Sequence, residues 1–237
     1  MKTGTSNQPS CTAIVCAYNE EKSIAGVLNT LIESPLVDEI IVVDDGSEDD
    51  TAVVIQRFTS HPKAHPIFLP QNKGKGYAMA EGVLQAKGKT LFFVDADLLN
   101  LSDAHIAKIL GQWQTGNADM IIGYRNFRRG AARGAILFRA FSGERALFRK
   151  DILPLVSTIK ESRYGVETLI NLHYRDQGKT IHYASLDGLI HPIKTKKMRV
   201  GEAIPMFIEE TIQVVQAFIQ HYVQKWKRAY RTYGGAA

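Results

Sequence analysis

The sequence predicts an α/β fold in which a mostly parallel central sheet is flanked by helices. Three observations predict it. Short apolar runs alternate with segments of helical apolar spacing from residue 12 to residue 123. The runs are almost continuously apolar, as strands covered on both faces are. Three of them end in polar or acidic residues, and in a parallel sheet such ends share the carboxyl rim where ligands bind.

The elements follow in order. Residues 12–17 (TAIVCA) form the first strand. Asn19 is placed to cap the next helix, with Glu20 and Glu21 at its positive end and Ile24, Val27, Leu28, Leu31 and Ile32 on its apolar face. Pro35 stops that helix, and residues 39–44 (EIIVVD) form the second strand. Ser47 and Asp50 resemble a capping box for a helix through Phe58. Residues 66–70 form a short third strand, followed by a helix bearing Tyr77, Ala80, Val83 and Leu84 and ended by Gly88. Residues 90–97 (TLFFVDAD) make the fourth strand, Ser102 caps a helix with Ile106, Leu110 and Trp113, and residues 119–123 make the fifth. Residues 124–150, rich in Arg and Gly, read as loop plus helix, and residues 151–190 as mixed structure. A long amphipathic pattern, Ile204, Ile208, Ile212, Val215, Ile219, Tyr222 and Trp226, predicts a helix near the C-terminus.

These elements divide into a leader at 1–10 expected to be disordered, a catalytic domain at 11–200 and an amphipathic helix at 201–231, packed on the domain or at an interface. The net charge is +5, unevenly spread. Residues 124–150 carry eight Lys or Arg against one acidic side chain, and residues 194–237 carry eight against three. Two basic segments in an otherwise acidic chain suggest an anionic partner or surface. No apolar run reaches the roughly 18–20 residues of a membrane helix, and the first ten residues lack a signal-peptide core. The expected location is the cytoplasm, with peripheral contact at the inner membrane face as an extension. Trp226, Tyr230 and Tyr233 beside Lys and Arg suit a lipid interface, and a homodimer helix is the other reading. Cys11 and Cys16 are five apart on one strand, point to opposite faces and are expected to stay unpaired.

The chemistry gathers at the strand ends. Asp95 and Asp97 close the fourth strand; a turn there can aim two carboxylates at one hard cation, Mg2+ or Mn2+, which can grip a diphosphate. Asp44-Asp45-Gly46-Ser47 ends the second strand and offers acceptors for a nucleobase or ribose, with a Gly that permits close approach. Asn72-Lys73-Gly74-Lys75-Gly76 opens a helix, where lysines are unusual unless an anion sits nearby. It lacks Walker spacing, and no Gly-x-Gly-x-x-Gly follows the first strand, which disfavours nucleotide hydrolysis and nicotinamide binding.

In these motifs, Ala17-Tyr18-Asn19-Glu20, Asp44-Asp45-Gly46-Ser47, Asn72-Lys73-Gly74-Lys75-Gly76, Asp95-Ala96-Asp97-Leu98 and Ser142-Gly143-Glu144-Arg145-Ala146-Leu147, the sequence resembles glycosyltransferase family 2 of the GT-A fold. Tyr164-Gly165-Val166-Glu167 and His191 are similar to the dolichyl-phosphate mannosyltransferase and glucosyl-3-phosphoglycerate synthase branches. The resemblance implies that Ala17, Tyr18, Asn19, Glu20, Asp44, Asp45, Lys73, Asp95 and Ala96 hold a UDP- or GDP-linked sugar. It implies Asp97 as the direct metal ligand, with Asp95 and His191 as further ligands. Asp97, Glu167 and Arg145 become the catalytic candidates. Arg125, Gly143, Glu144 and Arg145 become the contacts of a phosphate-bearing acceptor, a polyprenyl phosphate or a small phosphorylated or carboxylated molecule. The Glu-Asp base of many inverting members does not occur between Ser142 and Glu167. Either Glu167 is the base, or the acceptor arrives ionised and needs none. Arg125, Arg128, Arg129 and Arg133, among glycines 123, 130 and 134, fit a loop that orders over substrate.

Two rival readings remain. A sugar-phosphate nucleotidyltransferase shares the architecture but wants a Gly-rich basic signature after the first strand. A nucleic-acid-binding protein would use the basic segments, yet no nucleic-acid module is present and rim carboxylates repel phosphates.

Overall fold

The computed structural model describes residues 10–125, 142–162 and 165–190. Strands β1 (Cys11–Ala17), β2 (Glu39–Asp44), β3 (Ala64–Phe68), β4 (Thr90–Asp95), β5 (Met120–Tyr124), β6 (Arg145–Phe148) and β7 (Ile181–Ser185) form one sheet. Their order is β3-β2-β1-β4-β6-β5-β7. β1 pairs in parallel with β2 and β4, β2 with β3, and β5 with β7, whereas β6 runs antiparallel to both β4 and β5. Among the described strands only β6 is reversed, so the carboxyl ends of the other six lie along one rim.

Alternation along the strands sends side chains into two layers. Ala13, Val15, Ile40, Val42, Phe92 and Val94 pack with helices α1 (Ile24–Glu33), α2 (Thr51–Gln56) and α4 (Asp103–Gln114). Ile14, Ile41, Val43, Leu91, Phe93 and Leu147 pack with α3 (Lys75–Gln85) and, beyond α5 (Arg149–Ile152), with α6 (Val156–Glu161) and α7 (Val166–Asp176). Each fully buried aliphatic contributes roughly 1.5–3 kcal/mol. Together these layers explain why β1, β2 and β4 read as continuous apolar runs. Cys11 lies in the first layer and Cys16 borders the second; both are free, and burial pushes both thiols up to about 12.

The boundaries differ from the sequence reading in instructive ways. β4 ends at Asp95, so Ala96 and Asp97 form the turn that two-sided alternation required. β3 spans Ala64–Phe68 rather than 66–70. α1 starts at Ile24 behind Ser23, and Asn19 is instead in the left-handed region with φ 56°, doing other work. α2 starts at Thr51, whose N–H and hydroxyl are taken by Asp49, and it ends at Gln56 rather than Phe58. Ser102 does stand before α4, with its hydroxyl 3.0 Å from His105 Nδ1. The segment read as loop plus helix contains β6, concealed because a strand of four residues begins with a fully buried arginine. The predicted leader through residue 9, the helix at 201–231, the arginines at 128, 129 and 133, and His191 lie outside the described residues.

At the rim opposite the strand ends, β1, β2 and β4 are tied by a buried polar knot. The Thr12 hydroxyl donates to Glu39 and accepts the Gly88 N–H at 2.9 Å, while Glu39 also accepts the Lys87 N–H at 2.8 Å. Thr12→Val keeps the shape but strands the Gly88 N–H. It is expected to lower the unfolding free energy by about 1–3 kcal/mol, read as a lower urea midpoint at unchanged m-value, with ligand affinity at the far rim unaltered.

Candidate active site

Two loops at the carboxyl rim are clasped together. The Asn19 N–H donates to Ser47 Oγ at 3.0 Å, the Glu48 N–H donates to Asn19 Oδ1 at 2.9 Å, and the Glu20 N–H donates to Thr51 Oγ1 at 2.7 Å. The left-handed backbone of Asn19 is the cost of this reciprocal clasp, and Asn is among the few side chains that tolerate it. Ser47 in turn donates both its N–H and its hydroxyl to Asp44 Oδ1. Glu20 accepts the Ser23 hydroxyl at 2.8 Å. The Ala17–Glu20 segment is thus fixed to the end of β2, with Tyr18 and Asn19 exposed.

Asp44 and Asp45 part company. Asp44 lines an open cleft of about 760 Å3 with Ala52, Val53, Gln56, Arg57, Phe68 and Leu69, between α2 and β3. Asp45 turns toward α3, where its two oxygens accept the Lys73 and Gly74 N–H groups, each at 2.8 Å. Its carboxylate therefore holds the turn that opens α3. Gly46, which follows them, has φ 71°, and a Cβ there would stand 2.4 Å from the Gln71 backbone, so this position of the turn calls for glycine.

The densest chemistry lies at the end of β4. Lys75, the first residue of α3, places its ammonium 2.8 Å from Asp95 Oδ1 and 2.7 Å from Glu167 Oε1, at the start of α7. Burial works to strip that proton, but the two carboxylates outweigh it and hold the ammonium well above its usual range. Arg145, at the start of β6, is completely buried. Its guanidinium donates to the Glu167 carbonyl at 3.3 Å, to Asn171 Oδ1 at 3.2 Å and to the Ser142 carbonyl. Burial lowers its pKa, with Glu167, Asp95 and Glu144 acting to raise it, and it stays charged at any physiological pH. Ser142 donates its hydroxyl to Glu144 at 2.6 Å. Gly143 lies against Asp95: a Cβ there would be 2.3 Å from both carboxylate oxygens.

Ala96 and Asp97 follow in the turn, both largely buried. That turn is held by the chain after β7: the Leu99 N–H donates to the Ile190 carbonyl at 3.1 Å, and the Ile190 N–H donates to Asn100 Oδ1 at 2.6 Å. The described chain stops there, one residue short of His191. Among the described residues no group of three His, Cys, Asp or Glu side chains forms a ready cage for a metal ion. The donor set fits Mg2+ or Mn2+ nonetheless, because such ions take one or two carboxylates and complete their shell with water and substrate phosphates. Asp95 and Asp97 supply hard oxygen donors at one turn.

The structure therefore brings Asp95, Gly143, Glu144, Arg145 and Glu167 together. It sets Asp44 in a separate cleft, leaves Lys73 exposed with its ammonium 5.9 Å from the Tyr77 ring, and leaves Arg125 half-buried just beyond β5. Lys75 and Asn171 were not among the predicted site residues. The signal for Lys75 was present, since a lysine at a helix start calls for a nearby anion; the anions are the chain's own Asp95 and Glu167. Gly143→Ala is expected to displace the Asp95 carboxylate and to lower stability by about 1–3 kcal/mol. Gly111→Ala, in α4 with nothing within 4 Å of its added Cβ, is expected to raise it by roughly 0.5–1 kcal/mol; chemical denaturation of both variants checks the pair.

Comparison with known proteins places this rim in context. The family model described as glycosyl transferase family 2 matches residues 12–150, from β1 through β6 into α5. A dolichyl-phosphate beta-glucosyltransferase of Trichomonas vaginalis is 38% identical over 96 residues, 36% of this chain and 28% of that protein. A glucosyl-3-phosphoglycerate synthase of Mycobacterium tuberculosis is 31% identical over 115 residues, 46% of this chain and 35% of that protein. The chain thus spans about a third of the length of these two curated relatives. Crystal structures of the mycobacterial synthase superpose on the chain with 22% identity. The complex with Mn2+, UDP and phosphoglyceric acid has a TM-score of 0.68 and covers 90% of this chain and 78% of that one. The complex with Mg2+ and UDP has a TM-score of 0.67, covering 90% and 79%. That likeness shows a shared GT-A fold. The family match runs over more than half of the sequence and takes in every strand end described above as far as β6; the chain belongs to glycosyl transferase family 2.

Proposed function

We propose that the chain transfers a sugar from a UDP- or GDP-linked donor to a phosphate-bearing acceptor with the help of Mg2+ or Mn2+. The observation that carries the reading is the cluster at the end of β4, where Asp95, Lys75, Glu167 and Arg145 interlock beside the Asp97 turn. Relatives of like fold support it, since the mycobacterial synthase has been crystallised with Mn2+ and UDP-glucose.

In this reading Asp97, with Asp95 and His191, holds the cation, which when bound neutralises the charge that gathers on the departing diphosphate. The chain's own groups do the rest. The clasped Ala17–Glu20 loop and the Asp44–Asp45 turn seat the nucleoside, because their backbone is fixed before the donor arrives. Asp45 acts through Lys73 and Gly74, holding the α3 entrance in place. Arg145 donates to Glu167, Asn171 and Ser142, so it fixes the wall of the site, and in this reading Arg125, half-buried just beyond β5, is the cation for the acceptor. Glu167 is committed to Lys75, an arrangement that suits a bound carboxylate better than a proton acceptor. Where the acceptor's own phosphate oxygen attacks the sugar, its second pKa near 6 leaves it ionised near neutral pH and no base is needed.

A panel of UDP- and GDP-sugars tested by thermal shift, with and without Mn2+, checks the reading, since a ligand of the native state raises its melting temperature by mass action. One nucleotide class is expected to stabilise the chain only when the cation is present. Asp97→Ala should keep the fold and lose that response, with turnover of the matched donor falling by about a hundredfold or more. Equal stabilisation with and without the cation, or wild-type turnover in Asp97→Ala, would refute it.

A further inference from the structure

We infer that Lys75 is a positioning residue, which acts on the donor through Asp95 rather than by touching the nucleotide. The inference rests on the proposed cation-assisted donor binding and assigns a part in it to a side chain outside the predicted site. Its ammonium sits between two carboxylates carried by different elements, Asp95 at the end of β4 and Glu167 at the start of α7, at 2.8 and 2.7 Å. Two of its three N–H donors are consumed by those oxygens. One oxygen of Asp95 is thereby occupied, and Gly143 closes in on both from the bend before β6, leaving the carboxylate one orientation.

The enclosure around this contact argues the same way. Ile14, Cys16, Met79, Phe93, Val94 and Gly143 line the space shared by Lys75 and Asp95, which is only about 10 Å3. That is room for a single water between the two side chains. Without Lys75, Asp95 and Glu167 would face each other as like charges beside an apolar wall. The carboxylate meant for the cation would then be pushed aside. Electrostatics alone would predict the opposite, since deleting a cation next to a metal ligand favours metal binding. The two accounts therefore part on the sign of one quantity, the gain in nucleotide affinity that Mn2+ confers.

Isothermal titration of UDP and GDP into the full chain, once with Mn2+ and once with EDTA, measures that gain for whichever nucleotide binds more tightly. In Lys75→Met the gain is expected to shrink by about tenfold or more, as misplaced catalytic-site groups do, while the affinity in EDTA stays within about threefold. Lys75→Arg, whose fork can reach both carboxylates, is expected to recover most of the loss. Lys160→Met removes a different ion pair of α3, the one that joins it to α6 through Glu81 at 2.6 Å, and is expected to leave the gain unchanged. If Lys75→Met does not fold, Lys75→Gln takes its place with the same expectation. An unchanged or larger gain in the lysine variant, an equal loss with and without Mn2+, or a similar loss in Lys160→Met overturns the inference. Absence of any Mn2+ gain in the wild-type chain instead sinks the proposed function beneath it.

Discussion

Burying Arg145 is costly unless acceptors are brought to it, because removing a guanidinium from water carries a penalty of several kcal/mol. The chain meets the demand of the two terminal nitrogens with the Glu167 and Ser142 carbonyls and Asn171, while Nε has no partner among the described residues, and it sets Lys75 beside them on the carboxylates of Asp95 and Glu167. The two cations therefore dictate where α7 starts, how the 142–145 turn approaches β4, and how α3 enters the sheet. Removal of one partner from such a network leaves an uncompensated charge, which is why its members behave as a unit.

The reversal of β6 makes this arrangement reachable. A parallel strand next to β4 would enter from the far rim and leave its start there. Running antiparallel, with Arg145 opposite Phe93 and Ile122, β6 begins at the ligand rim and delivers Ser142–Arg145 directly against Asp95. The other half of the rim is built, among the described residues, without buried cations. There, backbone N–H groups donate to the side-chain oxygens of Asn19, Ser47, Thr51 and Asp45 and tie three loops together before any ligand is present. Rigid walls of this kind lower the ordering cost of binding.

Much of this was legible in the sequence, and the reasons for success and failure are physical. β1, β2 and β4 announced themselves because both faces of each are covered, leaving continuous apolar runs. Asp95, Gly143, Glu144, Arg145 and Glu167 were named from motifs and do meet. β6 was hidden because Arg145 occupies a core position, and charge at such a position reads as surface until its partners, up to 26 residues away, are known. β7 was hidden because an edge strand with exposed His182 and Tyr183 carries no clear alternation. The divergence of Asp44 and Asp45 follows from strand alternation carried one residue past β2, whereas the use of Asp45 to hold the α3 turn depends on a contact 28 residues away. Lys75 was passed over because its anions belong to the protein, and sequence gives no way to separate an internal anion from a bound one.

The most direct measurement is a crystal structure of the chain grown with Mn2+ and a nucleoside diphosphate, with the metal located by its anomalous scattering. The account predicts one strong peak bonded to an Asp97 oxygen and to the diphosphate, at the turn after β4, with the Lys75 bridge between Asp95 and Glu167 intact. A metal peak remote from Asp97, with the diphosphate bound away from the turn after β4, would contradict it.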